Sequence, residues 1–319
     1  MVIKRLLTII LGIFVSSICL AGQNEIKISE LIVQAEEKFS KLLEGQSEEE
    51  FHEASGVQIL NNEIFVVFDN HSMIAKINIE LNKAKLLGEN KKEVGYEGIT
   101  YDNINDRFYL IEESLDNKGV FNARLRSANT DFMIEFKKWL KYNFQGDNKG
   151  FEGLTIVTKH DETYVLALCE GNDCDSGKIG KIHGAGRIKV FETKGKNWKY
   201  IASIRLPPSL QFMDYSGIDI NNKNILAIAS QESSTVWTGE LDVENWKIVD
   251  LGHIYNFPKD KNGNKIYCTI EGVSWIANDR LVVVSDAKKK EQPEECHEKD
   301  QSIHIISIKT PNKAGSRNN

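Results

Sequence analysis

Short apolar runs bounded by Asn, Asp, Gly and Ser recur along the chain, and no sustained helical period separates them. Phe108-Tyr109-Leu110-Ile111, Ile225-Leu226-Ala227-Ile228 and Leu281-Val282-Val283-Val284 are three of them. Each follows an opening built on a glycine and an aliphatic residue. Tyr96-Glu97-Gly98-Ile99 leads to Glu112 and Glu113, and Phe151-Glu152-Gly153-Leu154 leads to Leu168-Cys169-Glu170-Gly171-Asn172. Ile270-Glu271-Gly272-Val273 leads to Asp286. Ser55-Gly56-Val57, leading to Asp69, and Ser216-Gly217-Ile218, leading to Glu232, carry serine in place of the first glutamate. The glycines stand 42, 55, 64 and 55 residues apart, the length of one four-stranded unit with its loops. Such self-similarity predicts an all-β fold, a β-propeller of five or six blades.

Turn residues divide the first unit into strands near 55–60, 63–69, 72–79 and 83–88. In the second unit, Phe132 to Phe144 reads equally as strand or short helix. The third has a long excursion, Gly171 to Gly186, whose five glycines would let backbone amides approach a ligand, or which is a flexible loop pinned by a disulfide. The fifth unit shows three clear strands, so closing the ring needs a strand from before Ser55, with Glu25 to Ile28 as the candidate. Ahead of it Ser29 can cap a short N-terminal helix in which Leu31, Ala35, Phe39 and Leu42 recur at near-helical spacing. The domain plan is a leader at 1–21, a helical segment at 22–50, the propeller at 51–310 and a disordered tail at 311–319.

The leader reads as an export signal, because Lys4 and Arg5 precede the apolar run Leu6 to Val15 and small residues end at Ala21. This predicts a periplasmic or secreted protein with no stable membrane insertion after cleavage. The formal charge of −6 becomes −8 once Lys4 and Arg5 are removed, which argues against a nucleic-acid partner. Export also leaves an even set of cysteines. Cys169 with Cys174 and Cys268 with Cys296 are the favoured disulfides, and zinc with His183 and His297 is the rival. The Lys- and Glu-rich insertion from Lys288 to Asp300 reads as solvated loop, and the whole as a monomer.

In a propeller the innermost strand of each blade starts on the face where the second strand ends. Glu97, Glu152, Glu170, Glu232, Glu271 and Asp286 should therefore gather around one mouth of the central channel. Like charges so placed raise each other's pKa, and the ring needs a compensating cation or some members protonated. Their hard oxygen ligands favour calcium. The alternative is that each acid hydrogen-bonds the backbone of the next blade as a structural clasp. Tyr101, Trp237 and Trp275 are candidate stacking platforms for a ligand, or core residues between blades.

The Glu-Gly-aliphatic openings at Glu97, Glu152 and Glu271, Leu168-Cys169-Glu170-Gly171-Asn172 and the strand beginning Gly186-Arg187-Ile188 resemble the phytase-like ("esterase-like activity of phytase") family of exported bacterial β-propellers. The likeness covers most of residues 50–310 and departs at Ser55 and Ser216. It implies hydrolysis of a phosphate or carboxylate ester held at the channel mouth. Glu152 and Glu170 would then act with calcium, Arg187, Arg124 and Lys189 would clamp substrate oxygens, and His71 is the candidate general base. A nucleophilic Ser216 lacks the Gly-x-Ser-x-Gly elbow. The competing class is a non-enzymatic ligand- or protein-binding propeller.

Overall fold

The computed structural model describes residues 25–45, 52–89, 95–145, 150–194 and 197–308. The leader and the tail lie outside them. Five blades follow one another in chain order. Blade 1 comprises β3 (Ala54–Leu60), β4 (Glu63–Phe68), β5 (Ile74–Asn78) and β6 (Ala84–Leu87), close to the strands read from the sequence. Blade 2 comprises β7 (Gly98–Asp102), β8 (Arg107–Asp116), β9 (Phe121–Ala128) and β10 (Ile134–Phe144), the last resolving the ambiguous segment as a strand. Blade 3 comprises β11 (Phe151–Lys159), β12 (Glu162–Cys169), β13 (Arg187–Lys194) and β14 (Asn197–Arg205). Blade 4 has β15 (Gly217–Ile220), β16 (Ile225–Ser230), β17 (Thr235–Asp242) and β19 (His253–Asn256), with the two-residue β18 (Lys247–Ile248) beside β17. Blade 5 has β20 (Ile270–Ala277), β21 (Arg280–Ser285) and β22 (Ser302–Ser307).

The fourth strand of blade 5 comes from the other end of the chain. β2 (Ile32–Lys38) runs antiparallel to β22, from Ile32 opposite Ser307 to Lys38 opposite Ser302. β1 (Lys27–Glu30) instead lies parallel to β19 as a fifth strand of blade 4. Closure therefore uses Ile32–Lys38 and not the Glu25 to Ile28 segment. The expected short helix is a single turn, Phe39–Leu42, and the residues ahead of it are extended. The β-branched Ile28, Ile32 and Val33 favour that conformation, and an open edge on β22 rewards it with hydrogen bonds.

The second strand of each blade is covered by neighbouring blades on both faces, which is why it reads as an unbroken apolar run. Ile64 to Phe68 and Leu281 to Ser285 are wholly buried. Among the described residues the buried side chains form five clusters, one at each blade-to-blade interface, including that between blades 5 and 1. The five repeat glycines make the axis. A Cβ on Gly56 would stand 2.7 Å from the Cα of Gly98, and one on Gly217 would stand 2.3 Å from the carbonyl oxygen of Glu271. Gly98, Gly153 and Gly272 likewise face Gly153, Gly217 and Gly56 at 3.0–3.3 Å. The spacing seen in the sequence is thus a steric requirement for bringing five backbones together. Only about 10 Å³ of space remains between them, so this ring is a septum across the channel.

Candidate functional site: an acidic mouth above the glycine ring

The strand registers specify which residues meet at the mouth. Opposite Gly56, Gly98, Gly153, Gly217 and Gly272 on the second strands lie Val67, Ile111, Leu168, Ala229 and Val284. Side chains on one face of a strand recur every second residue, so the next position is two residues on. Those positions are Asp69, Glu113, Glu170, Gln231 and Asp286. This decides between Glu112 and Glu113, either of which could end the second strand of blade 2, and changes one expectation. Glu113, at a bulge in β8, faces the ring, whereas Glu112 pairs with Arg124 and Arg126. Gln231 takes the blade-4 place assigned to Glu232, which is exposed.

The openings also follow a rule that was missed. Where the residue before the glycine is serine, an acid stands three residues before the glycine instead of one: Glu53 before Gly56 and Asp214 before Gly217. The two serines act as clasps, a role considered for the glutamates. Ser216 Oγ donates to the Ile270 carbonyl oxygen at 2.8 Å, and Ser55 Oγ donates to that of Tyr96. Every blade therefore supplies a pair to the mouth, and nine of the ten residues are acidic.

Oxygens of Glu113, Glu152 and Glu170 all lie within 4.8 Å of one another, and all three side chains are partly exposed. Burial, then the carboxylates of Glu97, Glu170, Glu113 and Glu271, pushes Glu152 well above the usual carboxylate range. Burial and Glu113, Asp286 and Glu170 push Glu97 up to about 8. Asp286 is pushed up to about 7 by burial and Glu53, against the pull of the Ala287 amide. Burial raises Asp214 and Glu271 as well.

A cation from the insertion read as solvated loop reaches this ring. Lys289 donates its ammonium to Gln231 Oε1 at 3.1 Å, and Gln231 Nε2 donates to Glu271 Oε1 at 2.5 Å. Burial opposes the charge on Lys289, but Glu271, Asp286, Glu152 and Glu170 more than reverse that, and its pKa is raised. The Cys268–Cys296 disulfide and Gln292, which accepts from the Lys289 amide at 2.8 Å and donates to the Cys268 carbonyl at 3.1 Å, hold the segment in place.

Each proposed substrate clamp has partners of its own outside the ring acids. Arg124 forms a two-pronged pair with Glu112 and lies over the Trp139 ring. Arg187 pairs with Asp173. Lys189 is buried over Tyr142 and Tyr200 and donates to Ser203 Oγ at 3.2 Å. All three sit on third strands. His71 is wholly buried, its ring 4.4 Å from that of Phe68.

Cys169 and Cys174 form the second disulfide, so neither cysteine pair is a zinc site. The excursion that follows is ordered around buried Asn172, whose amide donates to the Gly180 and Phe212 carbonyls while its oxygen accepts from the Ala185 amide and Tyr215 hydroxyl. Trp237 is fully buried and donates to the Leu251 carbonyl at 3.0 Å, which makes it core. A groove of about 1240 Å³ over blades 3 to 5 has none of the ring acids among its described lining residues.

No protein-family model and no curated protein matches the chain. Among solved structures it is similar to the glutaminyl cyclase of Myxococcus xanthus, with a TM-score of 0.52 at 9% identity over 88% of this chain and 97% of that one. It is also similar to the GH43_1 enzyme from Xanthomonas citri, with a TM-score of 0.49 at 8% identity over 82% and 88% of the two chains. A third is the aldose sugar dehydrogenase of Streptomyces coelicolor, with a TM-score of 0.45 at 10% identity over 87% and 99%. At 9% identity the likeness to the glutaminyl cyclase shows the fold alone, and that fold is a β-propeller.

Proposed function

We propose that the acidic mouth binds calcium and, with it, a phosphate or other anionic ester as substrate for hydrolysis. The observation that carries this reading is the meeting of Glu113, Glu152 and Glu170, from two adjacent blades, within 4.8 Å. Their donors are all carboxylate oxygens, and partial exposure leaves room for further ligands, a set that suits calcium better than zinc or copper. Calcium bound there would supply positive charge to draw in the ester oxygens and would acidify a nearby water. Glu97 and Asp286, with pKa values raised to about 8 and about 7, can each hold or release a proton near neutral pH. The tethered ammonium of Lys289 can meet an anionic oxygen that enters the ring.

The same Glu-Gly openings carry the resemblance to the phytase-like family, and ester hydrolysis follows that resemblance. Export fits the two disulfides, which belong in an oxidising compartment such as the periplasm or the exterior. Among the described residues no helix is long and apolar enough to cross a membrane. The second reading is a ligand-binding propeller without catalysis, favoured by Gln231 and Lys289, which already occupy part of the ring.

The test is a calorimetric calcium titration of the mature, metal-stripped protein and of Glu152→Gln and Glu170→Gln, followed by assays on p-nitrophenyl phosphate and p-nitrophenyl acetate. Saturable heat that weakens in both variants, with calcium-dependent turnover, is the expected result. Calcium binding without turnover of any ester would leave the binding reading. Absence of heat in well-folded parent protein would remove the calcium site.

A further inference from the structure

The glycine septum divides the axis into two compartments, and the lower one has a different chemistry from the acidic mouth. Below the ring lies a depression of about 370 Å³, within the size range of small-ligand sites. The lower ends of all five inner strands border it. Gln58, Tyr101, Asn103, Asn222, Trp275 and Asn278 supply its polar and aromatic groups.

Among the described residues that line the depression, Asp219 is the one carboxyl and none is Lys, Arg or His. Both Asp219 oxygens are occupied. One accepts from Thr155 Oγ1 at 3.1 Å and the Ile220 amide at 2.8 Å, the other from Ser274 Oγ and the Trp275 amide, both at 2.8 Å. The depression therefore offers no free charge to hold an ion or a charged ligand. An apolar ligand would strand its carboxamides without partners, at a cost in free energy.

Carboxamides present a donor and an acceptor side by side, which matches neighbouring hydroxyls. Trp275, 8% exposed, also borders the large outer groove, and its indole N–H has no acceptor among the described residues. Such a buried donor is normally satisfied. Tyr101 and Trp275 add aromatic faces against which a ring of C–H bonds can lie. We infer that the lower depression binds a neutral polyhydroxylated ligand, a mono- or disaccharide, at a site separate from the acidic mouth.

The experiment uses the intact mature protein with glucose, N-acetylglucosamine and cellobiose as probes, read by saturation-transfer NMR and calorimetry. Asn103→Ala and Asn278→Ala alter exposed side chains and should fold normally. Trp275→Phe removes the indole N–H together with part of the ring while keeping an aromatic face. Expected are saturable binding of at least one sugar, a loss of affinity of about three- to tenfold in each variant, and no change in Glu152→Gln or on adding a chelator. The inference is overturned if no sugar binds at about 50 mM, a concentration that would reveal even weak millimolar sites. Binding that ignores Asn103→Ala and Asn278→Ala, or that disappears in Glu152→Gln, would overturn it equally.

Discussion

Replacing Glu97 with glutamine isolates the electrostatic cost of the acidic mouth. Its carboxyl is raised from 4.5 to about 8, first by burial and then by Glu113, Asp286 and Glu170. The folded pKa lies above the unfolded one, so between these values the folded protein keeps a proton that the unfolded chain releases. Stability from this group is fully present below pH 4.5 and is lost as pH rises through 8. At 1.36 kcal/mol per pKa unit the whole shift is worth at most about 5 kcal/mol. The neighbouring acids share the same repulsion, which puts the loss attributable to Glu97 at about 2–5 kcal/mol. One kcal/mol moves the melting temperature of a chain this size by about 2 °C, so the expected effect is roughly 4–10 °C. The assay is scanning calorimetry of the metal-stripped protein from pH 5 to pH 9 at constant ionic strength. The parent should melt lower with rising pH, whereas Glu97→Gln, neutral throughout, should equal it at pH 5 and exceed it at pH 9. A parent whose melting temperature is flat between pH 6 and 9, or a variant that falls just as steeply, would refute the reasoning.

Other perturbations separate scaffold from site. Gly217→Ala drives a Cβ to within 2.3 Å of the Glu271 carbonyl oxygen, and should destabilise the fold by about 3 kcal/mol or more in urea titrations. A loss below about 0.5 kcal/mol would show that the ring can spread. Arg126→Met leaves Glu112, 4% exposed, short of a charge partner. About 3 kcal/mol of stability should go, again by urea titration, while calcium affinity is unchanged. Lys289→Met removes a positive charge from the ring and should strengthen calcium binding about tenfold by calorimetry, equivalent to about 1.4 kcal/mol. Weaker binding would instead make Lys289 a supporting part of the cation site.

The blades were legible because burial on both faces leaves an unbroken apolar run, as in Leu281 to Val284, and because glycine is required wherever five backbones meet. The disulfides followed from an even set of cysteines beside strand ends. Legibility stopped where a position depends on register and not on composition. Glu112 and Glu113 are equivalent as letters, and only the alternation counted from Ile111, the partner of Gly98, turns the second toward the axis. Gln231 displaces Glu232 for the same reason, since the ring place falls two residues beyond the glycine's partner. Glu53 and Asp214 could have been found, because each stands three places before a glycine that a serine precedes. Lys289 could not, since a lysine in a charged run looks solvated until its loop is pinned by Cys268–Cys296. The closing strand was hidden by an apolar spacing at Leu31, Ala35 and Phe39 that suits a helix, and its partner is contributed by the far end of the chain.

That partnership has a kinetic consequence. Ile32–Lys38 is synthesised long before β22, the strand that receives it. Until then β2 is an unpaired edge, the kind of surface on which chains join one another by mistake. Bringing the two together closes a loop of almost the whole chain, at an entropic cost of roughly 5 kcal/mol before any hydrogen bond forms. Blades 1 to 3 hold their strands locally and can form beforehand. The ring should therefore close as a late, slow step, and concentrated refolding should produce dimers in which one molecule's first strand completes the last blade of another.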